Sequence, residues 1–243
     1  MVLGICDIAV LALRKEASHR SEMVSQLLFN EIYEIESEQS GWTLIRCLED
    51  DYEGWIPSIQ VHPLDEATYL EQKDLPRYIV HRPTIEYKGR LIGLGTMLYE
   101  CVDGTLPMPS SFNPDLMIKM GMQFLNTPYL WGGRNLFGID CSGFVQICAR
   151  AAGLLLPRDA SQQIEKGENV YFLPEAQAGD LAFFSNEEGK VIHVGMMLND
   201  SEILHASGRV RIDSIDQTGI FNRERNEHTH KLLAIKRCQE VTK

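Results

Sequence analysis

One cysteine and two histidines supply the residue types needed for nucleophilic acyl transfer. Cys141 stands in Asp140-Cys141-Ser142-Gly143, His193 in His193-Val194-Gly195 and His205 in His205-Ala206, with Tyr129-Leu130-Trp131-Gly132-Gly133 upstream. A thiol can attack a carbonyl, one imidazole can take its proton, and a second can orient the first. From Cys141 the residues Phe144, Val145, Cys148, Ala151, Ala152 and Leu155 recur at helical spacing, with Pro157 as the expected stop. Asp140 is a good N-cap, which puts Cys141 in the first turn. Unpaired N–H groups there carry partial positive charge, so the position predicts a depressed thiol pKa and a site able to face an oxyanion. A cysteine on an apolar helix face is also a common core residue, the role expected of Cys148.

The histidines need strands to bring them together. Val191 to Leu198 reads as a strand between turns at Glu187-Glu188-Gly189 and Asn199-Asp200, and Ser201 to Ser207 as the next. A hairpin centred on Asn199 makes His193 and His205 equidistant from the centre, opposite each other on one face. That register requires an odd-length turn of three or five residues.

The remaining chain narrows the setting. Its 243 residues, 44% of them hydrophobic, suffice for one large or two modest domains. A net charge of −11 argues against nucleic acid or an anionic membrane as a main partner. Cysteines 6, 47, 101, 141, 148 and 238 form no CxxC pair or zinc-type cluster, so no metal or other cofactor is implied. They do not read as a disulfide framework either, which suits a reducing compartment. Met1 to Leu13 lacks a basic start and is broken by Asp7, unlike a signal peptide. No stretch approaches the roughly 20 apolar residues of a membrane helix. The expected location is cytoplasmic. Strand candidates at Ile8–Leu13, Glu31–Glu38 and Trp42–Leu48, with turns at Ser40-Gly41 and Glu49-Asp50-Asp51, suggest a small N-terminal barrel. Strands at Tyr78–Val80, Ile85–Tyr87 and Thr96–Cys101 either complete that barrel or start a second one. Leu106 to Ser111 is the best linker candidate.

The Tyr-x-Trp-Gly-Gly, Asp-Cys-Ser-Gly, His-Val-Gly and His-Ala elements resemble the NlpC/P60 cysteine peptidases, a papain-like group that cleaves bacterial cell-wall peptides. Order and gaps match across residues 113–238, and four linked motifs are far more specific than one. The resemblance implies that Cys141 is the nucleophile, His193 the base and His205 the third polar member, with the Tyr129 hydroxyl near the oxyanion site. It puts Asp140, Ser142, Arg158 and Asp159 at the substrate cleft. Many members place a serine directly after the Arg-Asp pair; here Ala160 intervenes before Ser161. The N-terminal segment is similar to bacterial SH3-like domains, in which an acidic residue and a tyrosine, here Glu22 and Tyr52, help to hold a substrate amine.

The implied fold is α+β. An SH3-like β-barrel region spans residues 1–105, a linker 106–112, and a papain-like NlpC/P60 domain 113–243. The implied activity is hydrolysis of the γ-D-glutamyl–diamino acid bond of murein peptides with a free N-terminal L-alanine, in peptidoglycan recycling. Two alternatives stand beside it: an acyltransferase or amidase on a papain-like scaffold, and a non-catalytic protein that binds wall peptides.

Overall fold

Short alternating runs broken by turn residues make the N-terminal part of the chain all-β. The structure, a computed structural model, describes residues 2–238. Strands β1 (Leu3–Ile5), β2 (Val10–Arg14), β3 (Met23–Leu28), β4 (Ile32–Gln39), β5 (Trp42–Cys47), β6 (Glu53–Pro57) and β7 (Pro63–Leu64) form one antiparallel sheet in the order β3-β2-β6-β5-β4-β1-β7. Leu11 and Leu13 of β2, Leu27 of β3, Tyr33 of β4, Ile45 of β5 and Ile56 of β6 meet in one core. A single sheet whose strands share one core must curl on itself, as a small SH3-like barrel does.

Helix α1 (Glu66–Lys73) follows, capped by the Asp65 carboxylate, which accepts from the Thr68 N–H. Five more strands belong to the same compact unit: β8 (Tyr78–Val80), β9 (Thr84–Tyr87), β10 (Arg90–Gly93), β11 (Met97–Leu98) and β12 (Thr105–Pro107). They do not extend the first sheet. β9 pairs with β10, and β8 lies between β11 and β12, over a core of Val80, Ile85, Tyr87, Ile92 and Leu98. The sequence left these strands unassigned between two barrels; they form small sheets of their own. Leu106 and Pro107 pair with Ile79 and Tyr78, so the first residues of the expected linker are strand. This unit also includes residues 131–136, with β13 (Arg134–Asn135). The buried Arg134 guanidinium there reaches Glu31 Oε2 at 2.8 Å and the Gln26 carbonyl at 2.6 Å.

The second unit comprises residues 109–130 and 137–243, described to 238. It contains α2 (Pro114–Met122), β14 (Gly138–Ile139), α3 (Cys141–Ala151) and α4 (Ala160–Gln163), then β15 (Glu168–Val170), β16 (Leu181–Ser185), β17 (Val191–Met197), β18 (Glu202–Ser207), β19 (Arg209–Ile215), β20 (Gly219–Asn222) and β21 (Glu227–Arg237). The sheet order is β15-β21-β16-β17-β18-β19-β20, and β20 also pairs with β21. Strands β16 to β21 therefore close into a six-stranded ring. Helix α3 is buried along its whole length between α2 and strands β17 and β18, and Phe144 meets Phe124 of the α2 side edge-on at 5.7 Å.

α3 ends earlier than its apolar pattern suggests. It stops at Ala151, not at Pro157, and Leu155 is exposed. Gly153 takes a left-handed conformation (φ 88°), and a Cβ there would lie 2.8 Å from the Ser111 carbonyl oxygen, so glycine terminates the helix where the chain is also tightly approached. Among the described residues, no helix is long and apolar enough to cross a membrane.

Candidate active site

Asp140 caps α3 as expected: its carboxylate accepts from the Gly143 N–H at 2.7 Å. Cys141 thus opens the helix, 7% exposed. Backbone hydrogen bonds from Val194 of β17 and from Ser142 reach its sulfur, and the Tyr129 hydroxyl bonds to it as well. The helix start does not yield a resting thiolate. Burial, reinforced by the Asp140 carboxylate, pushes the thiol up to about 11, against the lowering effect of those backbone bonds. The expectation of a depressed pKa counted the helix end and left out the desolvation that comes with an apolar seat.

Both histidines lie in the sheet against which α3 packs. His193 Nε2 and His205 Nδ1 are 2.8 Å apart, and both rings are buried. The hairpin that joins them differs from expectation by one residue. Gly195 pairs with His205, Met196 with Leu204 and Met197 with Ile203, so the centre is Asp200 rather than Asn199. Asn199 begins the turn, because its side-chain carbonyl accepts from the Ser201 N–H at 2.9 Å. The turn is odd in length, so the two histidines keep a common face but are diagonal neighbours rather than directly opposed. Gly195 makes the diagonal contact possible: a Cβ there would lie 2.8 Å from the His205 Cβ.

Two further residues complete the cluster and were not anticipated. Asp213 Oδ2 on β19 lies 3.2 Å from His205 Nε2, and both side chains are buried. His230 on β21 stacks on His193, with ring centroids 4.2 Å apart and 29° between planes. A signal for Asp213 existed in the sequence. Ser207-Gly208 is a turn dipeptide, and the hairpin it makes pairs His205 with Arg211, which puts Asp213 on the diagonal of the same face. His230 comes from a strand that reaches the ring by its pairings with β16 and β20, and no local pattern announces that.

The histidines are neutral at rest. Burial, then the neighbouring His205 and His230, holds His193 well below the usual imidazole range. His205 is lowered by burial against the opposing pull of Asp213. His230 is pushed down to about 4, mainly by burial. For Asp213 burial acts upward, but hydrogen bonds from His205 and Arg211 win and keep it below the usual carboxylate range. A buried thiol, a neutral imidazole and an ionised carboxylate at the far end form the parts of a general-base-activated nucleophile.

Comparison with known proteins fits this geometry. Residues 126–227 match the NlpC/P60 family, and residues 13–61 match the bacterial dipeptidyl-peptidase SH3 domain. The chain carries an NlpC/P60 domain behind a bacterial SH3 domain. It is 40% identical over 127 residues to the γ-D-glutamyl-L-lysine dipeptidyl-peptidase of Bacillus subtilis strain 168, covering 50% of this chain and 40% of that protein. The protein of the same name from Bacillus cereus ATCC 10987 is 30% identical over 196 residues, 65% of this chain and 57% of the relative. The chain thus spans about half the length of these curated relatives. A crystal structure of an NlpC/P60 family protein from Bacillus cereus shares the fold with a TM-score of 0.80 at 19% identity, covering 97% of this chain and 99% of that one.

In the NlpC/P60 domain the other residues singled out from the sequence fall into two groups. Asp140, Ser142 and Arg158 come together: Arg158 is bidentate on the Asp140 carboxylate at 2.6 and 3.1 Å and donates to Ser142 Oγ at 2.8 Å. This buried network braces the helix start beside Cys141. Asp159 is half-buried and caps α4, in a capping box with Gln162, whereas Ser161 on the first turn of α4 is exposed. Glu22 and Tyr52 belong to the first unit. Within it Glu22 Oε1 accepts from the Trp131 indole N–H at 2.7 Å, its other oxygen is 3.4 Å from Lys15 Nζ, and Tyr52 packs against the barrel core. Among the described residues no cluster of His, Cys, Asp or Glu is arranged to hold a metal ion.

Proposed function

We propose that this chain is a cysteine endopeptidase that hydrolyses the γ-D-glutamyl–diamino acid bond of murein peptides bearing a free N-terminal L-alanine. The observation that carries the reading is the seat of Cys141. Its sulfur lies at a helix start, bonded by the Tyr129 hydroxyl and by the backbone of Val194, the residue after His193. The shared name of the two Bacillus relatives supplies the bond class, a γ-D-glutamyl-L-lysine linkage, and the dipeptidyl-peptidase mode.

The reaction follows from these groups. His193 takes the thiol proton as the sulfur attacks the γ-carbonyl carbon, giving a tetrahedral intermediate and an imidazolium. The oxyanion is met by the Cys141 N–H at the start of α3 and the Tyr129 hydroxyl. Collapse breaks the C–N bond, and His193 returns its proton to the departing diamino-acid amine. Water, deprotonated by His193, then attacks the thioester, releasing L-Ala-D-Glu and the thiol. Asp140, Ser142, Arg158, Asp159 and Ser161 are the proposed substrate-side residues of this domain, and Glu22 and Tyr52 those of the SH3 domain. Six free thiols suit action in the cytoplasm, on fragments returned for recycling rather than on intact wall.

The test is direct. The pure protein is incubated with L-Ala-γ-D-Glu-diamino acid tripeptide and with its N-acetylated form, and the products are weighed by mass spectrometry. Free tripeptide is expected to yield L-Ala-D-Glu and the diamino acid, the acetylated form to persist, and the Cys141→Ala variant to yield nothing. Cleavage of neither peptide overturns the reading; equal cleavage of both overturns the recycling role.

A further inference from the structure

The strands that hold His193 and His205 continue into a third, and on it Asp213 occupies the next diagonal position. Its carboxylate is fully buried, yet every oxygen has a donor. Arg211 Nη2 donates to Oδ1 at 3.0 Å, Arg211 Nε lies 2.8 Å from Oδ2, and the Arg223 N–H reaches Oδ1 at 3.5 Å. The remaining approach to Oδ2 is taken by His205 Nε2 at 3.2 Å. Beyond it His205 Nδ1 faces His193 Nε2 at 2.8 Å. Side chains from β17, β18 and β19 thus make a linear series, imidazole to imidazole to carboxylate.

Such a series has only one consistent proton arrangement when both rings are neutral. An ionised carboxylate can only accept, so His205 Nε2 carries the hydrogen. A neutral ring has one N–H, so His205 Nδ1 is bare and must accept. His193 Nε2 is then the donor, which leaves His193 Nδ1 bare. The nitrogen left free is the one that can take a proton. We propose that Asp213 is a positioning residue of the reaction, fixing the tautomers of His205 and, through it, of His193, so that His193 Nδ1 is always the basic nitrogen. This rests on the reading of Cys141 and His193 as nucleophile and base.

The surroundings support a directing role over a merely structural one. Burial, with a smaller contribution from the Arg211 charge beside the carboxylate, lowers the proton affinity of His205, so Asp213 orients the ring without converting it to an imidazolium. His230 covers the face of His193 and leaves its in-plane nitrogens to the series. When His193 becomes an imidazolium in the reaction, its Nε2–H remains directed at His205, and Asp213 stabilises the charge at one remove. An amide cannot substitute: with asparagine, one of the two positions that now accept from Arg211 and its neighbours becomes an NH2 group facing those donors.

The experiment reads the tautomers without substrate. The full chain is labelled with 15N-histidine, long-range proton–nitrogen spectra are recorded at pH 7.5, and signals are assigned by their loss in His193→Gln and His205→Gln. Both rings are expected to show a protonated Nε2 and a bare Nδ1. In Asp213→Asn the two rings are expected to lose that single pattern, and kcat on the tripeptide to fall about 10–100-fold with KM little changed, the usual scale for loss of an orienting partner. A protonated His193 Nδ1 in the wild-type protein overturns the assignment, whatever the variant does, as does a folded Asp213→Asn protein with unchanged tautomers and kcat. Absence of tripeptide cleavage by a wild-type protein with the expected spectra overturns the peptidase reading instead, and leaves the proton order standing on the spectra.

Discussion

At the scale of single residues, the proposed chemistry turns on how Cys141 loses its proton. A helix start and an apolar seat pull the thiol in opposite directions, and the seat wins, with a pKa of about 11. His193, neutral and buried, cannot hold a resting ion pair with it. In the proposed reaction Cys141 then begins as a thiol and is deprotonated as it attacks, the serine-hydrolase order of events rather than one that starts from a preformed thiolate–imidazolium pair. Alkylation reports this directly. The rate of iodoacetamide labelling at Cys141, without substrate, is expected to keep rising with pH through 8 and 9. A rate already level between pH 6 and 8 would mean a resting thiolate and would refute the order proposed. Cys148 is fully buried, and its thiol is raised by burial alone, so it is expected to remain unlabelled over the same range.

At the scale of elements, the site is two hairpins against the start of one helix, and most of it was legible. The capped helix start, the two strands and the odd turn follow from Asp140, from the alternation around His193 and from Asn199-Asp200. The one-residue shift in register was not legible, because whether Asn199 centres or opens the turn depends on its side chain capturing the Ser201 N–H. The early stop of α3 at Gly153 was hidden behind apolar residues that continue the spacing without continuing the helix. His230 was hidden for a different reason: its place depends on ring closure by β20 and β21. Gly195 is the position at which this geometry can be probed. In Gly195→Ala the new Cβ would lie 2.8 Å from the His205 Cβ, which the backbone of β18 fixes, and 2.8 Å from Ile203 Cδ1, a side-chain end that is itself buried in the core. The variant is expected to fold with a loss of about 1–3 kcal/mol in stability by urea unfolding. Its kcat should fall by more than that loss implies, because His205 is displaced from His193. Full activity in the destabilised variant would show that the diagonal contact is not required.

At the scale of the whole molecule, a cluster of three neutral histidines makes folding itself sensitive to acid. His193, His205 and His230 all have native pKa values below that of a free imidazole, His230 at about 4. As the pH falls from about 7 towards 4, the unfolded chain takes up protons at these positions and the folded chain does not. Stability is therefore fully present above the unfolded value near 6.5 and is lost as the pH drops towards the native values. Each such histidine contributes a slope of at most about 1.4 kcal/mol per pH unit, and less for His230, which is only partly buried. The groups facing His230 are His193 on β17, His205 on β18 and Asp213 on β19. His230→Phe keeps a ring against His193 and removes one proton-binding site. Urea unfolding at several pH values between 7.5 and 4.5 is expected to show wild-type stability declining with acid, and the variant declining less steeply. Parallel slopes for the two proteins would mean that His230 titrates in the folded chain as it does in the unfolded one, and gains its charge, stacked on His193, as the pH falls through about 6.5. A neutral His193 could not act as the base beside such a charge at moderately acidic pH, so the same measurement bears on the base as well as on the fold.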